Sequence, residues 1–146
     1  IMELAVGITV IVATWVILVP ADADATIAEA TRDAFPVEAV AKLADENSDP
    51  SVVVEYGWAG FVIHQLYQSG GRVFIDGRND MYPEAILEAY SAIRSADPGW
   101  ENIVDRYDAG WLLFPPEAAI TRGPARVAGW CEAFRDEDQV LLERCP

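Results

Sequence analysis

Apolar residues recur along this chain at several spacings, and each spacing predicts a different element. Leu4 to Val19 is continuous and uncharged, with the β-branched block Ile8–Val12 and no polar face. At 1.5 Å per residue this stretch makes roughly 24 Å of helix, slightly less than the ~30 Å hydrocarbon core of a bilayer. We read residues 1–20 as a transmembrane helix truncated at its N-terminus. A signal peptide would carry a basic region ahead of the apolar run, which is missing, although Ala21-Asp22-Ala23 faintly resembles a cleavage site. A buried core helix is the third reading.

Residues 21–34 are rich in Ala and acidic, which suits a linker or weak helix. Beyond Phe35, helical spacing returns at Val37, Val40, Ala41 and Ala44, opened by Pro36 and closed by Asn47-Ser48-Asp49-Pro50. The continuous Val run in 51–56 predicts a strand buried on both faces, as in a parallel sheet. A helix over 61–68, the stop Ser69-Gly70-Gly71 and a second strand over 72–76 complete a βαβ unit. Helices over 83–95 and 100–107 precede a third strand at 111–114, a short helix over 117–121 and a closing hairpin made of 126–135 and 139–143. Residues 35–146 therefore read as one α/β domain. It is expected to be three-layer, with a mostly parallel sheet of four to five strands and an antiparallel C-terminal hairpin, preceded by one apolar helix.

Charge adds an address and an exclusion. The chain has 146 residues and a formal net charge of −14, with ten basic side chains scattered along it. That balance opposes nucleic acid and anionic lipid headgroups as general electrostatic partners. The flank after the span is Pro20-Ala21-Asp22-Ala23-Asp24 and the first basic residue is Arg32, so this side of the membrane is expected to be extracytoplasmic. Cys131 and Cys145 are the two cysteines. Pairing Asp136 with Val140 across the hairpin would bring them opposite each other, so a disulfide and two separate thiols both stay open.

Candidate chemistry gathers where parallel strands end, the edge at which α/β folds bind ligands. That rule collects Glu55, Tyr56 and Trp58 from the first strand and Asp76, Arg78, Asp80 and Tyr82 from the second. Arg78 has three possible uses: bracing one or both neighbouring carboxylates, recognising an anion or sugar, or sitting within a metal site. Two carboxylates with an arginine between them make a poor cation cage, so no metal is expected. A carboxylate pair for glycoside hydrolysis would need a separation that sequence does not fix. His64 is the sole histidine, expected as a partly buried structural residue in its helix. No nucleophile motif is present, and no catalytic residue is assigned.

The ordered series Glu55-Tyr56-Gly57-Trp58-Ala59-Gly60-Phe61, Arg72 to Arg78, Asp80 with Tyr82, Pro98-Gly99-Trp100 and Tyr107 to Leu113 resembles the C-terminal end of certain polytopic bacterial membrane proteins. These look like integral-membrane glycosyltransferases that use polyprenyl-phosphate-linked sugars, similar to the protein mannosyltransferases. The resemblance covers most of residues 35–144. It implies a small extracytoplasmic accessory domain behind a transmembrane bundle, which would be its partner, and a sugar or glycan acceptor nearby. It also implies that catalysis and any polyprenyl-phosphate-sugar donor belong to a membrane portion outside this chain, with no cofactor of its own. A membrane-anchored binding module for a small anionic or sugar ligand is the alternative.

Overall fold

The structure is a computed structural model and describes residues 23–46, 49–123, 125 and 128–146. It divides into two compact units, the second being Phe35–Pro146. Residues 1–20, and with them the expected membrane span, lie outside the described residues. Among the described residues, no helix is long and apolar enough to cross a membrane.

In the first unit the expected acidic linker is a helix, α1 (Ala23–Ala34), with no buried residue. The Thr31 hydroxyl donates to the Ile27 carbonyl at 2.7 Å within it. The second unit is mixed α/β around a five-stranded sheet. Its strands are β1 (Ser51–Val54), β2 (Arg72–Val73), β3 (Trp111–Phe114), β4 (Trp130–Arg135) and β5 (Val140–Arg144), in the order β2-β1-β3-β5-β4. β1 runs parallel to β2 and β3, whereas β5 is antiparallel to both β3 and β4. Two pairings are parallel and two antiparallel, because the hairpin folds back with β5 directly beside β3, so β5 alone runs against the other four strands.

Side-chain alternation along these strands builds two apolar clusters. Val53, Leu112, Phe114, Val140 and Leu142 join Tyr90 and Ile93 of α4 (Glu84–Ser95) and Trp100 and Val104 of α5 (Trp100–Arg106). The intervening residues Val52, Val54, Trp111, Leu113 and Leu141 pack with α2 (Val37–Glu46) and α3 (Ala59–Leu66). β1, β3, β4 and β5 each contribute side chains to both clusters, which explains why the Val run and Trp111–Phe114 carry no polar position.

Three departures from the expected elements have a local reason. The second strand stops at Val73 instead of continuing to Asp76. After Phe74 donates to the Val52 carbonyl at 2.9 Å, β1 turns away: Glu55 N–H donates to Leu113 and Tyr56–Trp58 form a 3-10 turn. Residues 75 and 76 then have no strand to pair with, yet both stay buried. The short helix after β3 is a 3-10 turn, Ala119–Arg122. In the hairpin, Arg135 rather than Asp136 pairs with Val140, and a bulge between Glu132 and Phe134 shifts the register again, leaving Cys131 opposite Glu143. Cys131 and Cys145 are nevertheless joined by a disulfide, with Cα atoms 5.0 Å apart.

Candidate functional site

The loop that leaves β2 is built on Asp76. Its residue is 5 % exposed, while the Arg78 side chain two positions on is 64 % exposed. The Asp76 Oδ1 accepts the Arg78 backbone N–H at 3.0 Å, closing a local turn of the kind Asp favours. The Arg78 guanidinium folds back over the same carboxylate. Its Nε donates at 3.0 and 2.9 Å to the two oxygens and its Nη2 at 2.5 Å to Oδ2. This is a fork-to-carboxylate clamp. Arg78 therefore braces one of the two expected carboxylates, Asp76, whereas Asp80 is exposed beyond it.

The clamp sets the protonation state. The Arg78 side-chain hydrogen bonds hold the Asp76 carboxyl below the ordinary carboxylate range against the opposing effect of burial, and the Tyr82 hydroxyl adds to the lowering. Asp76 in turn raises the Arg78 guanidinium further. Such a carboxylate stays ionised at neutral pH. It is thereby unsuited to the general-acid half of a glycosidase pair, which needs a raised pKa.

A second polar group lies at the end of β1. Glu55 accepts from Arg94 Nε of α4 at 2.8 Å. Beside it the Tyr56 backbone N–H donates to the Tyr90 hydroxyl at 2.8 Å. Burial, with the Glu55 charge adding to it, pushes the Tyr90 phenol well above its ordinary value, so it stays neutral. The Tyr56 and Tyr90 rings lie tilted at 6.4 Å, and Tyr90 is stacked with Phe114 at 6.3 Å. Tyr56 and Tyr82 both pack against the cluster beneath α4 and α5.

Not every expected member joins them. Trp58 packs against the other cluster, with α2 and α3, rather than the one that Tyr82 joins. His64 is exposed on α3 rather than partly buried. Among the described residues, no group of three or more His, Cys, Asp or Glu side chains could hold a metal ion.

Sequence reasoning missed Arg94 and Tyr90, which meet Glu55 and Tyr56 from 39 and 34 positions away. Their only signal was helical phase: Tyr90 and Arg94 are one turn apart on α4. It also missed a hollow of about 300 Å³ beyond β3, lined by Pro116, Thr121, Arg122, Gly123 and Arg135. A second hollow, about 250 Å³, lies where Gly110 leads into β3 and is flanked by Asp105 and Arg144. No protein-family model and no curated protein matches the chain.

Proposed function

We propose that this chain is an extracytoplasmic accessory domain of a membrane glycosyltransferase-like protein, serving acceptor recognition or support of the membrane portion rather than turnover. The observation that carries the role is the Asp76–Arg78 clamp: the most buried carboxylate of the strand-end loop is occupied by its own arginine and kept ionised. The extracytoplasmic address is supported by the Cys131–Cys145 disulfide, since such bonds persist in oxidising compartments. Residues 1–20 would be the membrane helix ahead of the domain. The division of apolar side chains into two clusters supports a three-layer helix–sheet–helix arrangement behind it.

Two measurements test this reading. In producing cells, Cys131 and Cys145 should react with a thiol-alkylating reagent only after reduction; labelling without reductant overturns the address. The purified chain should transfer no sugar from a polyprenyl-phosphate-linked donor, and robust transfer or glycan hydrolysis overturns the accessory role.

The second reading, a membrane-anchored module that binds a small anionic or sugar ligand, is favoured by the exposure of Arg78 above its buried partner. Arg78→Ala separates the two. A variant that folds but loses binding of a sulfated or carboxylated sugar supports the module, and unchanged binding removes it.

A further inference from the structure

The hollow beyond β3 lies at the same edge of the sheet as the Asp76 loop but is a separate place. Phe114, the last residue of β3, pairs with Val140, and Val140 pairs on its other side with Arg135. The end of β4 is thus carried round to the loop that leaves β3. That loop is pinned at Thr121, a residue 6 % exposed whose hydroxyl lies within 3.2, 3.0 and 2.8 Å of the Pro115, Pro116 and Ala118 carbonyl oxygens. Arg122 follows directly from this fixed point. Gly123 then adopts φ 142°, and a side chain added there would meet nothing within 4 Å, so the wall is open on that side.

Among the described residues, two arginines line this hollow, in a chain with ten basic and 24 acidic residues. With carboxylates in such excess, most arginines find one: Arg72, Arg78, Arg94, Arg135 and Arg144 all do. Arg122 has no ion-pair partner among the described residues. Arg135 commits Nε to Glu132 at 2.8 Å, which leaves its outer guanidinium edge for another acceptor. The nearby Asp136 carboxylate is spent inside its own turn, accepting from the Asp138 and Gln139 backbone N–H groups and from Gln139 Nε2.

We propose that this hollow binds the phosphate group of a small molecule between Arg122 and Arg135. A planar carboxylate is satisfied by one guanidinium fork, as Asp76 is by Arg78. Two forks arriving from different elements suit the several terminal oxygens of a tetrahedral oxyanion. The volume admits a phosphate with a small organic group attached. The inference rests on this hollow alone and stands whether or not the accessory-domain reading holds.

The test is calorimetric titration of the full chain at low ionic strength with inorganic phosphate, glucose 1-phosphate and acetate as probes. Both phosphates should bind and acetate should bind more weakly. Tighter binding of the sugar phosphate identifies an esterified ligand, and equal binding identifies the free ion. Arg122→Gln should weaken phosphate binding roughly tenfold, as expected for losing a charge-assisted contact. Arg106→Gln, an exposed arginine of α5 outside the hollow, should leave it unchanged. Absence of phosphate binding, acetate binding as tight as phosphate, or equal losses in the Arg122 and Arg106 variants would each overturn the site. The Arg122 side chain is exposed and has no ion-pair partner among the described residues, so that variant should retain the wild-type circular dichroism and binding can be read directly.

Discussion

The disulfide between Cys131 and Cys145 offers the most quantitative prediction. The cysteines are 14 positions apart, so the bridge closes a short loop in the unfolded chain. The chain-entropy relation for a loop of that length gives about 3 kcal/mol of stabilisation at 25 °C. Both residues are only half-buried, so replacing them with serine removes little packing and isolates the cross-link. For the unit Phe35–Pro146, of about 110 residues, about 4 °C of melting temperature accompanies each kcal/mol, so the Cys131→Ser/Cys145→Ser variant should melt ~12 °C lower. With a urea m-value of about 1.5 kcal/mol/M, the midpoint should fall by ~2 M. The dependence on urea should also steepen, because the uncrosslinked unfolded chain exposes more surface. Reduced wild type should behave as the double variant does. An unchanged midpoint in the variant, with the bridge verified by mass spectrometry in oxidised wild type, would refute the reasoning and mean that the hairpin is held by its ladder alone.

Four further outcomes follow from other positions. Because Arg78 depresses the Asp76 carboxyl, its contribution to stability is fully present above about pH 4 and is lost as the pH falls through the lower folded-state value. Asp76→Asn should therefore lower stability at pH 7 and flatten the decline below pH 4, as read by urea midpoints across pH. Tyr90→Phe leaves the Tyr56 backbone N–H without its acceptor beside a residue 8 % exposed, and should cost about 1–2 kcal/mol with faster hydrogen exchange at that amide. In Gly71→Ala the new methyl would lie 2.7 Å from the Cβ of buried Leu66 and 3.1 Å from Pro50 Cγ, a clash worth about 1–3 kcal/mol in denaturant titration. Gly57→Ala meets nothing within 4 Å and should change stability by less than about 0.5 kcal/mol.

What sequence could reveal of this molecule follows from how local each feature is. The Val52–Val54 run, the helix opening near Pro83 and the hairpin around Asp136–Asp138 were legible because propensity and turn chemistry act within a few residues. The length of β2 was not, since it depends on where β1 turns away, and that is decided by Glu55 bonding to β3. The hairpin register failed by one residue at the turn and another at the bulge, neither of which alters the hydrophobic pattern enough to be read. At the strand-end edge, the Asp76–Arg78 pair was accessible because its members are two positions apart. Arg94 and Tyr90 were not, because their roles exist only after α4 has packed on the sheet. Trp58 was grouped with Tyr82 by strand-end position, but the single 3-10 turn after β1 carries it to the other cluster.

The two margins of the sheet bear on edge-to-edge association. An open strand edge is a template onto which another chain can zip, and long flat edges invite aggregation. Here one margin, β2, is only the two residues Arg72 and Val73, too short to seed a ladder. The other, β4, is interrupted between Glu132 and Phe134, which twists it and breaks the even spacing an incoming strand would need. Glu132 and Arg135 add charge along that same margin. Sheet growth is thus discouraged by geometry at both ends, so the domain would resist edge-to-edge association even at ionic strengths that screen the chain's net charge of −14.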